Sequence, residues 1–313
     1  MGKIEKQNKN SKNIIFAIVV VLIVLFSIFG KNSWKKLIKS TDAGTPQYSS
    51  VQSSEAASKD LSVHYIDVEQ GDSTLIRFKD YNILIDAGKS DYGDTVVSYL
   101  NGMDIEKLDL VIATHPDADH IGGMQYVLEH IHCDRYIMPQ LPSNIKKTKT
   151  EANLISILKV NKINTEYAVN QKEYDFDDMK LTTFITEQQR DNKNDYSVVA
   201  KVTYKDSSFL FMGDAGKTIE KEFISAKYDL KADVLKAGHH GSSKSTSEDF
   251  VKYVQPSISV FSCGVDNEYG HPHNEVLTIM NKYDIKYFRT DYQGTVVIGT
   301  DGDKYFTATQ GKE

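Results

Sequence analysis

Cysteine is nearly absent from this chain of 313 residues, which has only Cys133 and Cys263. Their separation excludes a disulfide framework and gives no cysteine-knuckle spacing for a metal. An excess of positive charge is missing too: 37 Lys and Arg stand against 43 Asp and Glu, a net charge of −6. That balance argues against a protein that coats nucleic acid through general basicity, and leaves only a local basic groove. No internal repeat is legible. Long apolar runs are confined to residues 14–30, and one such segment cannot build a multi-spanning pore. The apolar fraction of 40% and charged fraction of 26% are those of an ordinary globular protein. The length suffices for one large domain or two small ones.

The apolar run is uncharged, and as a helix it would span roughly 25 Å. Lys3, Lys6, Lys9 and Lys12 precede it, and Lys31, Lys35, Lys36 and Lys39 follow. The flanking charge is therefore nearly balanced, and the short tail of residues 1–13 favours an anchor with its N-terminus inside. Cleavage as a signal peptide is the rival reading, but no small-residue site follows the run and no cysteine is placed for lipidation. Residues 31–60, which from Ser40 turn rich in Ser, Ala, Thr and Gln, read as a flexible tether. The expectation is a single-pass membrane protein whose folded part, residues 61–313, lies outside the cytoplasm.

In that part, short β-rich runs alternate with amphipathic stretches. Strands are expected at 61–66, 73–78, 82–85, 108–113, 180–185, 197–204, 208–212, 234–237 and 258–261, and around Tyr287, Val296 and Phe306. Helices are expected at 94–103, 124–130, 151–161 with Thr150 as cap, 216–227, 247–254 and 275–283. The intermixing predicts an α/β fold of two sheets with helices outside.

The densest chemistry follows the apolar run Leu110–Ala113. His115, Asp117, Asp119 and His120 fall within six residues, just past a strand end and before Gly122-Gly123. Two imidazoles and two carboxylates on so stiff a platform suit one or two divalent ions. Asp214 also ends an apolar run, at Gly213, where a carboxylate can bridge two metals. His239-His240-Gly241-Ser242 is the other concentrated element. Adjacent histidines on an extended chain face opposite ways, so one ligand is expected from the pair.

His115-Pro116-Asp117-Ala118-Asp119-His120 resembles the His-x-His-x-Asp-His signature of the metallo-β-lactamase superfamily, with Asp117 in place of its second histidine. Together with Ile66–Ser73, Phe211–Asp214 and Leu235–Ser242, it is similar to the hydrolase domain of the ComEC DNA-uptake family. The resemblance covers about residues 61–309 and implies an αββα sandwich. It also implies a ligand set of His115, Asp117, Asp119, His120, Asp214 and His239, with His240 nearby as a supporting or substrate-facing group. One superfamily histidine is missing, and Asn194 or Asp195 stands in its stretch. Oxygen at two imidazole positions would let Mn²⁺ compete with Zn²⁺.

Asp67, Asp72 and Asp86 are candidates to support the ligands through hydrogen bonds. His271, in a loop that resembles the family's C-terminal loops, is placed to donate to a phosphate oxygen or protonate a leaving group. Lys146, Lys147, Lys149, Lys236 and Lys244, with Ser242, are candidates to meet a phosphate backbone. The resulting expectation is a metal-dependent hydrolase in which Asp119 orients or deprotonates the attacking water. Its expected substrate is a phosphodiester, single-stranded DNA included. Hydrolysis of a small ester, lactone or β-lactam is one alternative, and a non-catalytic metal-binding surface protein another. Nothing calls for a protein partner.

Overall fold

A computed structural model of the chain describes residues 49–50 and 53–311. The expected anchor, 14–30, lies outside the described residues, and among these no helix is long and apolar enough to cross a membrane.

The strands, in chain order, are β1 (Ser49–Ser50), β2 (Leu61–Tyr65), β3 (Thr74–Phe78), β4 (Tyr81–Ile85), β5 (Lys107–Leu108), β6 (Leu110–Ile112), β7 (His132–Cys133), β8 (Arg135–Met138), β9 (Asn164–Tyr167), β10 (Lys172–Phe176), β11 (Met179–Phe184), β12 (Val199–Tyr204), β13 (Ser207–Phe211), β14 (Val234–Lys236), β15 (Ile258–Phe261), β16 (Lys286–Arg289), β17 (Val296–Thr300) and β18 (Tyr305–Thr309). The helices are α1 (Ser53–Ala57), α2 (Gly93–Asn101), α3 (Ala118–Ile121), α4 (Met124–His130), α5 (Lys149–Val160), α6 (Lys217–Ser225), α7 (Glu248–Val254), α8 (Asn274–Lys282) and α9 (Thr290–Gln293).

One large sheet runs β1-β18-β17-β2-β3-β4-β6-β8-β9 and a second β10-β11-β12-β13-β14-β15-β16, while β5 and β7 form a small two-stranded sheet of their own. The connectivities of the two large sheets match. From β17 to β4 and from β10 to β13 neighbouring strands are antiparallel. From β4 through β6 and β8 to β9, and from β13 through β14 and β15 to β16, they are parallel. This repeat of topology has no counterpart visible in the residues, because it is made of strand direction rather than of side chains.

The two sheets pack face to face. Leu61, Val63 and Tyr65 of β2 meet Ala200, Val202 and Tyr204 of β12 and their neighbours in the central core. The outer faces are covered as well. Leu84, Val111 and Tyr136 lie under Val97, Leu100, Met124 and Leu158 of α2, α4 and α5. Leu210 and Leu235 lie under Ile219, Phe223 and Phe250 of α6 and α7, and Phe261 under Val276 and Met280 of α8. The central parallel strand β6, buried throughout, accordingly reads as an unbroken apolar run. The result is the four-layered α/β sandwich anticipated.

Two local expectations change. The stretch expected as tether already enters the fold at α1, where Ala56 is buried against Val297 and Ala308. It fits there because β17 carries Gly299, at which a Cβ would fall 2.0 Å from the Ala56 carbonyl oxygen. Helix α5 is capped by Thr148 rather than Thr150: its Oγ1 accepts the Glu151 N–H at 3.1 Å, the Thr-x-x-Glu spacing of a capping box. Cys133 and Cys263 are both buried and free.

Candidate metal centre

The ligand candidates stand where strand direction changes from antiparallel to parallel, past the C-terminal ends of two equivalent strand pairs. In such sheets this is where ligand sites form. Asp86 follows β4 and His115 follows β6; Asp214 follows β13 and His239-His240 follows β14. Gly213, with φ of 51°, lets this backbone approach the first sheet: a Cβ there would be 2.9 Å from Thr114 Cβ. The Asp214 N–H is then held by Ser197 Oγ at 3.1 Å.

Asp214 sits between two groups of side chains, and each carboxylate oxygen faces one group. On the Oδ2 side are His115 Nε2 at 3.7 Å and His239 Nε2 at 3.5 Å, with Asp117 Oδ2 3.5 Å from His115 Nε2. On the Oδ1 side are His120 Nε2 at 3.2 Å and His240 Nε2 at 3.7 Å, with Asp119 Oδ2 3.3 Å from His240 Nε2. Two ligands ~2.1 Å from one ion at tetrahedral angles lie ~3.4 Å apart. His115 Nε2, His120 Nε2, His240 Nε2 and Asp214 Oδ1 are buried and have no hydrogen-bond partner. Buried polar atoms are rarely left so, and four converging orphans fit divalent cations better than any arrangement of protein groups.

The charges agree. Asp72, Asp86, Asp117, Asp119 and Asp214 gather here against Lys193 and Lys236. Burial works against ionising Asp214, yet His120, His240 and His115 hold it well below the usual carboxylate range. Burial likewise opposes a charge on His240, but Asp214 and Asp72 push it up to about 10. Such a cluster calls for positive charge from somewhere.

Two of the imidazoles are oriented from behind. His120 Nδ1 lies 2.6 Å from Asp86 Oδ2, and Asp86 also accepts the Thr114 N–H at 2.8 Å and its hydroxyl at 2.6 Å. His240 Nδ1 lies 3.0 Å from the Ser262 carbonyl and 3.1 Å from Asp72 Oδ1. With a cation in the centre, these partners would keep the proton on Nδ1 and leave each Nε2 lone pair facing Asp214. Asp72 also offers an oxygen within 4.8 Å of ligand atoms of His120, Asp214 and His240. We assign it to support rather than ligation, because it faces His240 from the Nδ1 side and its Oδ2 holds Lys236 Nζ at 2.9 Å.

Both adjacent histidines reach the centre, contrary to the expectation of one ligand with His240 in support. That expectation assumed an extended chain. His239 (φ 51°, ψ 47°) and His240 (φ 55°, ψ 18°) instead take successive left-handed conformations in a tight turn, which brings both rings round to Asp214. Left-handed backbone at two consecutive non-glycine residues is strained, and strain of this kind concentrates at functional sites. His239 thereby supplies an imidazole on the side that the sequence left one histidine short. Each side then has two imidazoles and two carboxylates, Asp214 counted in both, and Asp117 remains an oxygen donor where the signature has histidine.

Other candidates fall differently. Asn194 Nδ2 donates to Asp214 Oδ2 at 3.2 Å. Lys236 is 2% exposed and bonded to Asp72 and the Ala237 carbonyl, so it is out of reach of a phosphate backbone. Ser242 Oγ accepts the Lys244 N–H at 3.3 Å and closes the turn. Lys146, Lys147 and Lys149 are exposed. His271 is buried with Nδ1 unpaired, its ring centroid 5.8 Å from that of His239. Burial and the neighbouring His240, His239 and His273 hold it down to about 4, which disfavours the general-acid role at neutral pH. His64, left without a role, is buried between Ser62 and Tyr99. Lys193 was missed: it pairs with Asp117 Oδ1, and nothing in a lone surface-type lysine signals this.

Residues 66–265 match the model of the metallo-β-lactamase superfamily. The chain is 30% identical over 253 residues to ComE operon protein 3 of Bacillus subtilis, covering 75% of this chain and 32% of that one. It is 29% identical over 239 residues to Competence protein ComA of Neisseria gonorrhoeae, covering 74% and 31%. The chain thus spans about a third of the length of the curated relatives it matches. The solved metallo-β-lactamase fold protein YhfI from Bacillus subtilis aligns with a TM-score of 0.47 at 13% identity, covering 74% of this chain and 96% of that one.

Proposed function

The chain belongs to the metallo-β-lactamase superfamily, and from that premise we propose that it is a metal-dependent phosphodiesterase acting on single-stranded DNA or a related phosphodiester. The observation that carries the hydrolytic reading is the convergence of His115, His120, His240 and Asp214 atoms, buried and unpartnered, around one carboxylate. The phosphodiester preference rests on the relatives, two of which bear competence-related names.

Divalent ions held by His115, Asp117 and His239 on one side, and Asp119, His120 and His240 on the other, would lower the pKa of a bound water and offset charge on the phosphoryl oxygens. The protein's own groups do the rest. Asp119, 25% exposed, is with Asp117 and His239 one of the ligand candidates open to solvent, and we assign it to orient the attacking water. Burial would raise it, but the neighbouring His240 and the charge of His120 hold it down to about 2, so it accepts a hydrogen bond throughout the neutral range. Neutral His271, beside His239 and His240, offers a polar edge to a substrate oxygen without changing charge. Its loop is fixed by Asn267, whose Oδ1 accepts the His271 N–H at 2.8 Å and whose Nδ2 donates to the His271 carbonyl at 2.7 Å.

Residues 14–30 are proposed to anchor the chain in the membrane with this centre outside the cytoplasm. The deciding experiment uses the full chain in mild detergent, stripped by chelator and reloaded with Mn²⁺, Zn²⁺ or Mg²⁺. Turnover of bis(p-nitrophenyl) phosphate and of labelled single-stranded DNA is followed, with Asp119→Ala as control. Metal-restored turnover that vanishes in Asp119→Ala supports the proposal. Bound metal with no turnover of either substrate overturns it, and directs attention to lactone and β-lactam substrates.

A further inference from the structure

The two sides of the centre have the same donors, two imidazoles and two carboxylates, but different surroundings. On the Oδ1 side, His120 and His240 each have a carboxylate behind Nδ1, Asp86 at 2.6 Å and Asp72 at 3.1 Å, and both rings are fully buried. On the Oδ2 side, His115 Nδ1 has only the Thr114 hydroxyl at 3.2 Å, and His239 is 28% exposed. The turn Lys193–Tyr196 adds two groups that contend for the same oxygens. Lys193 Nζ holds Asp117 Oδ1, and Asn194 Nδ2 holds Asp214 Oδ2 at 3.2 Å.

We infer that the centre binds divalent cations in two unequal steps, and that Lys193 sets the gap by competing for Asp117 in the His115–Asp117–His239 half. The physical reasons are two. A carboxylate whose charge is shared with an ammonium attracts a second cation less, and a ligand imidazole without a carboxylate behind it is less basic and less fixed in orientation. The donor sets being equal, nothing in ligand chemistry offsets these differences. The His120–His240–Asp119 half therefore fills first, and the other half fills only when the ion is abundant, so that occupancy follows metal supply. Lys193 is placed for this because the turn that bears it is fixed at both ends. Asn192 Oδ1 accepts the Asn194 N–H at 3.2 Å, and Tyr196 OH bonds the backbone of Arg190.

The test is calorimetric titration of Mn²⁺, and separately Zn²⁺, into the stripped full chain, with metal content measured after dialysis. Two steps are expected, the weaker one lost on dialysis. Lys193→Met should tighten the weaker step by about tenfold or more, the scale of groups that act through a ligand, and leave the tighter step in place. Lys193→Arg should keep the wild-type isotherm, and Asp117→Asn should remove the weaker step alone. Lys193→Gln, with circular dichroism, stands in if the methionine variant misfolds. One equivalent in all, two indistinguishable steps, or a weaker step indifferent to Lys193→Met would each overturn the inference. None of these readouts depends on turnover, so a failure of the phosphodiesterase proposal would leave the inference standing, and the reverse also holds.

Discussion

Asp86 Oδ2 and His120 Nδ1 lie 2.6 Å apart in a fully buried pair, and that contact decides which nitrogen of the ring faces Asp214. Replacing Asp86 by Asn presents an amide N–H where a proton acceptor is needed and favours the wrong tautomer. Asp86→Asn is therefore expected to weaken metal binding by about 10- to 100-fold. Circular dichroism should stay unchanged, since Asn can still accept the Thr114 N–H. Calorimetric titration against wild type measures it, and equal affinities would refute the orienting role.

His271 tests a different link. Because it is neutral above about pH 5, its removal should lower kcat/KM for a phosphodiester by a similar factor at every pH from about 6 to 8. A pH–rate profile of His271→Ala decides the matter. The loss of one limb near neutrality in the variant would mean that His271 moves a proton after all.

His64 should make stability depend on pH. Burial, with a contribution from Arg77, lowers its pKa from 6.5 to about 3. Below about pH 6.5 the unfolded chain takes up a proton that the folded chain refuses, so acid favours unfolding. The contribution is complete above pH 6.5 and is lost progressively down to about pH 3. Between pH 6.5 and 5 the loss is about 2 kcal/mol. In urea unfolding at those two pH values, His64→Asn should show a drop smaller by roughly that amount, and equal drops would rule out His64 as the source.

Gly299 tests the docking of α1. A methyl group there would collide with the Ala56 carbonyl, so Gly299→Ala should displace the helix and destabilise the fold by about 1–3 kcal/mol. Limited proteolysis should then cut within Ser53–Ala57 before the sheets unfold. An unchanged melting temperature and cleavage pattern would mean that α1 contributes nothing to the fold.

Much of this architecture was legible, for reasons that particular residues make clear. Two central strands declare themselves because β6 and the end of β13, residues 209–211, are buried and read as apolar runs, each followed closely by a ligand candidate. The His115–His120 cluster is legible because metal ligands crowd into one short segment. What stayed hidden depends on backbone conformation or on distant pairing. Nothing about two consecutive histidines announces left-handed φ angles, so His239 and His240 could not both be counted. Lys236 looks like a surface lysine until Asp72, far away in sequence, turns out to be its partner. The edge strand β9 was missed because Asn164, Thr165 and Tyr167 are exposed and leave it no buried face, and β10 because its alternation is only two apolar residues long, Tyr174 and Phe176.

The matching topology of the two sheets has one more consequence. His115 and His120 come from the first half of the chain, and Asp214, His239 and His240 from the second. An ion held among them would act as a cross-link closing a loop of about a hundred residues, worth ~4–5 kcal/mol in chain-entropy terms if it were a covalent bridge. A chain with two buried, unpaired cysteines would thus obtain from a bound cation the fastening that many other proteins take from disulfides. Chelation should then loosen the junction between the halves as well as silence the centre.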